Sequence, residues 1–311
     1  MASGKYAAAP HEIGAVDQLR AIELAEKIGV SAVWLTTGGA GPDAMTIFAA
    51  AAARTERIGL GTAIVPTFPR HPIVLIQQAQ VVAALAPGRL RLGVGPSHQP
   101  TIEGMYGIPF DRPLSHLREY VTILKSGLQS GKFDFAGDRY TVRGEVPAPP
   151  KVPILVSALR PASFRMAGEM TDGAISWICP LSYLREKALP ALREGAASAN
   201  RVAPPLIAHV FAAVHEDQNE VRTAARGRLA MYQRTPFYQM MFVEAGFTEA
   251  QETLSDAMID AVVVGGNETV VADRLRQYID AGMDELIVSV LVIGSNRRAS
   301  LERTMRLLAA I

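Results

Sequence analysis

Three segments of the 311-residue chain bring together residue types that can do chemistry. The first is Gly93-Val94-Gly95-Pro96-Ser97-His98, where an apolar run ends in glycines that permit close approach of a ligand. His98 can titrate near neutral pH or hydrogen-bond a reduced ring or a substrate carbonyl. A surface-loop histidine explains the same residue equally well. The second is Ser157-Ala158-Leu159-Arg160-Pro161-Ala162-Ser163, read as a strand-to-helix turn whose free amides and guanidinium suit a phosphate. Helix N-termini of this kind are common, so the turn alone does not specify an anion. The third runs from Thr62 to Pro72 and carries Phe68, Arg70 and His71 on a loop stiffened by prolines. Capping of the next helix or pairing with a carboxylate accounts for Arg70 and His71 at least as well as catalysis does.

Other chemistries lose support on spacing. The six histidines, at 11, 71, 98, 116, 209 and 215, have no metal-ligand spacing, and Cys179 is the only cysteine. That rules out an intramolecular disulfide and a multi-cysteine metal site. His209 lies inside an apolar strand and reads as a hydrogen-bonded core residue. GLGTA and GVGPSH are not the GxGxxG dinucleotide fingerprint, and the GxxxxGK and GxSxG motifs are absent. Glu103 and Asp111 flank one loop without evident pairing, which leaves glycosidase chemistry unsupported. A formal net charge of +1 offers no field for nucleic acid or a membrane surface. No signal-peptide core and no uncharged apolar run of spanning length is present, so the expectation is a soluble cytoplasmic protein.

The elements that position these segments alternate between two periodicities. Residues 15–28 place Leu19, Ile22, Ala25 and Ile28 on one helical stripe, and Gly29 stops the helix. Strand-like runs then end near 35, 63, 94, 157, 177, 213 and 291. Between most of them lie helices of ten to seventeen residues, over 43–54, 72–85, 113–128, 161–170, 181–197, 218–229 and 268–281, with 298–311 last. That alternation predicts a parallel sheet covered by helices. A barrel needs eight strands and only seven are clear; the eighth would lie in KYAAAPHEI, a poor strand candidate. The length favours a (β/α)8 TIM barrel with an atypical or incomplete first strand over an open doubly wound sheet. Residues 1–311 are then a single domain, with loop insertions around 95–112, 130–150 and 230–260. The second contains a hairpin over 133–142 turning at Gly137 and Asp138. The third holds the apolar tract MYQRTPFYQMMF, whose aromatic and Met content favours core or interface over a lid.

The chain resembles the bacterial-luciferase-like family in its coenzyme F420-dependent branch, from about residue 15 onward. PDAMTIFAAAAARTERIGLGTAIVP, the RHP at 70–72, APGRLRLGVGPSH, VPILVSALRPASFRMAGEMTDGAI and GGNETVVADRLRQYIDAGMDELIV carry the resemblance together. It implies F420, or alternatively FMN, in the mouth of the barrel, a small-molecule substrate and a homodimer. It also implies a non-prolyl cis peptide near Thr62-Ala63-Ile64 under the ring, and a ring lined by Gly95, Pro96, Ser97 and His98. The cofactor phosphate would fall to Ala158, Leu159, Arg160 and Ser163. The implied reaction is hydride transfer between the deazaflavin and an organic substrate, with His98 as proton donor or acceptor and Trp34 or Trp177 packing the ring. Two other functions stay open: an FMN-dependent monooxygenase on the same fold, and a barrel that has lost its cofactor. The second is motivated by MASGKYAAAPHEIG, which lacks the family's obvious first strand and polar first loop.

Overall fold

The computed structural model describes residues 4–10 and 14–311. Eight parallel strands close into a barrel with helices between them. They are β1 (Tyr6–Ala9), β2 (Ala32–Leu35), β3 (Gly59–Thr62), β4 (Leu90–Gly95), β5 (Ile154–Ser157), β6 (Gly173–Ile175), β7 (Leu206–Val214) and β8 (Glu285–Val290). The ring is closed by β1, which pairs with β8 from Tyr6↔Leu286 to Ala9↔Ser289 and with β2 at Ala8↔Val33. The first strand is therefore atypical, being short and alanine-rich, and it is complete, not incomplete. Lys5 extends the pairing, its carbonyl accepting from Leu286 N–H at 2.8 Å; residues 11–13 lie outside the described residues, and Gly14 caps the first helix.

The composition of β1 has a packing cause. Ala7 and Ala9 face the barrel lumen, where they share one cluster with Ala32, Trp34, Ala63, Leu155, Ile175, Ile207 and Ile287. A lumen filled to interior density around one indole has room for small residues opposite it. Tyr6 and Ala8 face the outer cluster beneath the helices. Alanine has low strand propensity, and four residues give little periodicity, so this strand is specified by its neighbours.

Most other expectations are met within a residue or two. The hairpin forms as Lys132–Ala136 paired antiparallel with Thr141–Glu145. The segment 95–112 is more ordered than the expected loop, since Gln99–Tyr106 is a helix closed by Gly107 in the left-handed region. The 230–260 region holds helix Pro236–Glu244, a 3-10 turn at Thr248–Gln251 and helix Asp256–Val262. A short strand, Val263–Gly266, adds to the outer side of β7 without entering the barrel. None of the described helices is long and apolar enough to cross a membrane.

Candidate active site at the barrel mouth

A cavity of about 570 Å³ opens at the C-terminal ends of β4, β5 and β6, where ligands of parallel barrels bind. Its wall includes Pro96, Ser97 and His98 after β4, Ala158, Leu159, Arg160 and Ser163 after β5, and Trp177 after β6. Eight of the twelve site residues expected from the sequence thus meet on one surface. The other four lie next to it. Thr62 is fully buried, and its hydroxyl both donates to Gly93 O and accepts from Gly93 N–H at 2.8 Å, tying β3 to β4. The Ala63–Ile64 peptide is cis, at the place the resemblance implies. Thr36 Oγ1 donates to its Ala63 carbonyl at 2.5 Å, and Thr37 N–H donates to Ile64 O at 3.1 Å.

The glycines of the first segment play a different part from the expected one. A Cβ on Gly93 would lie 2.0 Å from Thr62 O, and one on Gly95 would lie 2.1 Å from Ser157 Oγ. Both therefore serve close packing against neighbouring strands. Two left-handed non-glycine residues border the functional side chains: Ser97 (φ 65°) precedes His98, and Ile178 (φ 46°) follows Trp177. Such conformations cost about 1–3 kcal/mol and collect at functional sites.

His98 touches Tyr232 and Tyr238 at ring-centroid distances of 5.6 and 5.7 Å. Burial pushes its pKa below the usual histidine value, so the imidazole is neutral at pH 7. Trp177 lies edge-on to His209 at 4.3 Å, Phe211 at 5.1 Å and Tyr232 at 5.7 Å. His209 is the expected core residue, its Nε2 2.7 Å from Ser289 Oγ. Trp34 is elsewhere: it is buried in the lumen, its Nε1 donates to Glu285 Oε1 at 3.2 Å, and the Arg91 guanidinium lies 4.4 Å from its ring. As a ring-packing group, Trp34 is excluded by that position.

The anion seat also differs from its expected form. Leu159 N–H and Arg160 N–H donate to Ser163 Oγ at 3.1 and 3.2 Å, and Ala158 N–H donates to Ile175 O at 2.9 Å. Those amides are occupied within the turn. What faces outward is the Arg160 guanidinium, whose Nη2 bonds Glu244 at 2.5 Å while Nη1 is buried with no partner. A buried cationic donor without a partner is costly unless an anion meets it.

Arg70 and His71 take their bland roles. Arg70 bonds Asp43 and Gln78, and His71 Nδ1 accepts from Ile73 N–H as the cap of helix Pro72–Leu85. The sequence reading missed the second wall of the cavity, built by Phe110, Leu114 and Leu117 with Thr235, Phe237 and Tyr238. The last three belong to the tract read as core or interface. Tyr238, Met241 and Phe242 are indeed buried, whereas Phe237 is half exposed at the cavity edge. Its aromatic content beside a proline was the only signal available.

Beside this wall, His116 stacks on Phe68 at 4.0 Å. Burial, reinforced by the Arg139 charge, lowers its pKa to about 4. The folded state thus holds His116 neutral, while the unfolded chain protonates it near pH 6.5. Below that pH the unfolded state binds more protons, so stability falls as pH drops from about 6.5 towards 4, by about 2–3 kcal/mol in all. Urea midpoints at pH 7 and 4.5 should show this loss, and His116→Phe should remove most of the difference.

The comparisons with known proteins agree with this geometry. A model described as luciferase-like monooxygenase matches residues 2–285. A protein of Beutenbergia cavernae named F420-dependent glucose-6-phosphate dehydrogenase is 30% identical over 311 residues, covering 91% of this chain and 89% of its own. Among solved structures, an F420-dependent secondary alcohol dehydrogenase superposes with a TM-score of 0.82 at 18% identity, covering 98% of both chains. The FMN complex of the oxygenating constituent of 3,6-diketocamphane monooxygenase from Pseudomonas putida reaches 0.74 at 15%, covering 95% of this chain and 92% of that one. At those identities the structural likenesses establish the fold. Together with the family match over most of the chain, they place it: this protein is an oxidoreductase of the luciferase-like monooxygenase family.

Proposed function

We propose that the chain is an F420-dependent oxidoreductase that transfers hydride between the deazaflavin and a small organic substrate. The observation that carries the proposal is the buried, unpartnered Nη1 of Arg160 on the wall of the cavity that also holds His98. That donor fits a cofactor phosphate, and the start of helix Pro161–Met170 adds a favourable dipole. F420 is preferred to FMN because relatives spanning about nine-tenths of the chain carry F420-dependent names. When bound, the deazaflavin supplies a two-electron hydride centre at C5. The protein binds the phosphate through Arg160, and Trp177 with the aromatic wall excludes water. His98, neutral at pH 7, accepts the proton released when a substrate alcohol is oxidised, or hydrogen-bonds the carbonyl in the reverse direction.

Calorimetry against F420, FMN and NADPH tests this reading. F420 should bind and FMN should be held weakly. FMN binding below about 1 µM, roughly 8 kcal/mol, with no F420 binding would turn the assignment to an FMN-dependent monooxygenase. Binding of none of the three would favour a barrel without a cofactor. Arg160→Ala should weaken F420 binding about 30-fold, or about 2 kcal/mol, the range for a hydrogen bond to a charged group. An unchanged dissociation constant would remove Arg160 from the phosphate seat.

The same reading includes a homodimer. Helix Pro72–Leu85 has no charged residue, and it exposes Val74, Val81 and Leu85 along one side. An uncharged face of this kind is a candidate subunit contact. Light scattering should give twice the chain mass, and a Val81→Lys, Leu85→Lys double variant should give the monomer.

A further inference from the structure

A second cavity, of about 320 Å³, lies at the other end of the barrel, where β2, β3 and β4 begin. Its lining holds three guanidiniums, those of Arg57, Arg89 and Arg91, and one carboxylate, Glu26. That carboxylate is already committed, accepting from the backbone N–H groups of Glu56, Arg57 and Ile58 at 2.7–3.2 Å. Arg91 is committed too, since both its terminal nitrogens bond Glu285. Arg89 is different. It is almost wholly buried, yet its guanidinium bonds neutral oxygens: Thr55 Oγ1 at 2.9 Å, Ala52 O at 3.1 Å and Ile58 O at 3.4 Å. Ala52 ends helix Ala44–Ala52, and the negative end of a helix dipole offsets only about half a charge. Arg57 is exposed, and its guanidinium has no ion pair among the described residues.

A buried cation held by neutral oxygens, beside a second cation without a partner, leaves positive charge in excess over the one carboxylate. Buried charge is costly unless it is paired, and guanidinium forks match the edges of a tetrahedral oxyanion. The volume falls at the small end of the range for ligand sites, about 300–1,000 Å³. We infer that this cavity binds a phosphate group, as the free ion or as the head of a small metabolite, between Arg57 and Arg89. The site is independent of the F420 reading, because its lining shares no residue with the mouth cavity. A phosphate there joins the turn before β3, which carries Arg57, to the turn before β4, which carries Arg89. It binds the folded chain alone and so stabilises it, without a part in the chemistry at the mouth.

Calorimetry with inorganic phosphate and with glycerol 3-phosphate, at ionic strength fixed with chloride, tests the site. Saturable binding with a dissociation constant at or below about 1 mM is expected. Because Arg160 at the mouth also suits a phosphate, the titration is repeated on Arg160→Ala, where the foot site should persist with its affinity unchanged. Arg57→Gln, at an exposed position, should weaken it about tenfold, the low end for a hydrogen bond to a charged group. Glu26→Gln keeps an acceptor oxygen for the three amides and removes a like charge, so it should tighten binding about threefold. Melting temperature should rise with phosphate in the parent and much less in Arg57→Gln. Tighter binding of glycerol 3-phosphate identifies a metabolite head, and tighter binding of inorganic phosphate the free ion. No saturable binding up to 10 mM, equal affinity in Arg57→Gln and the parent, weaker binding by Glu26→Gln, or loss of all binding in Arg160→Ala would each overturn the inference.

Discussion

Replacing His98 with alanine is expected to lower kcat by about 10²–10⁴-fold, which is about 3–5 kcal/mol of barrier. The histidine sits on the cavity wall against the rings of Tyr232 and Tyr238, whose phenols burial keeps protonated. Burial depresses its pKa, so the neutral form dominates at pH 7 and can take a proton. Activity in alcohol oxidation should therefore hold at neutral pH and fall as pH drops through the folded-state pKa, below about 6.5. His98→Gln should lose that acidic limb along with most of the rate. Cofactor affinity should change little, because the proposed phosphate seat is Arg160. A variant within about threefold of the parent in kcat would end the assignment of His98 as the proton-handling group.

The second large effect is on stability, at the opposite end of the barrel. Glu285 begins β8 and is almost wholly buried. Its carboxylate accepts from both terminal nitrogens of Arg91 and from Trp34 Nε1. The guanidinium in turn covers the Trp34 ring. Glu285→Leu removes the acceptor and leaves a largely buried cation and an indole N–H without it. Breaking a buried pair from one side costs about 3–5 kcal/mol, whereas exchanging both partners for apolar groups is far milder. Urea unfolding should show a lower midpoint with an unchanged slope for Glu285→Leu. The Arg91→Met, Glu285→Leu double variant should recover most of the loss. Equal destabilisation of the single and double variants would show that packing, and not the orphaned charge, sets the cost.

The fold was legible because most barrel strands are buried on both faces and read as continuous apolar runs between amphipathic helices. The exception, β1, was obscure for a reason that is itself structural. Ala7 and Ala9 share the lumen with Trp34, and no local pattern reveals which neighbour occupies a lumen. The site was legible only in part. Strand ends and the proline-opened turn at 158–163 marked where a ligand would sit, and the structure brings eight of the expected residues to one cavity. The hydrogen-bond state of that turn could not be read: Ser163 Oγ takes the amides that the sequence left free. Nor could Trp34 and Trp177 be told apart, since both close strand-like apolar runs.

The sequence by itself determined the order of strands and helices, the loops that gather at one end, and the residue types those loops deliver. Periodicity and punctuation are local, and local energies suffice to set them. Only the tertiary structure decided that β1 closes the ring, that Arg160 Nη1 and not the turn's amides is left without a partner, and that helix Pro236–Glu244 supplies the second wall. These outcomes depend on contacts between segments far apart in the chain. Burial and the competition for hydrogen-bond partners resolve them, and neither is written in any single stretch of residues.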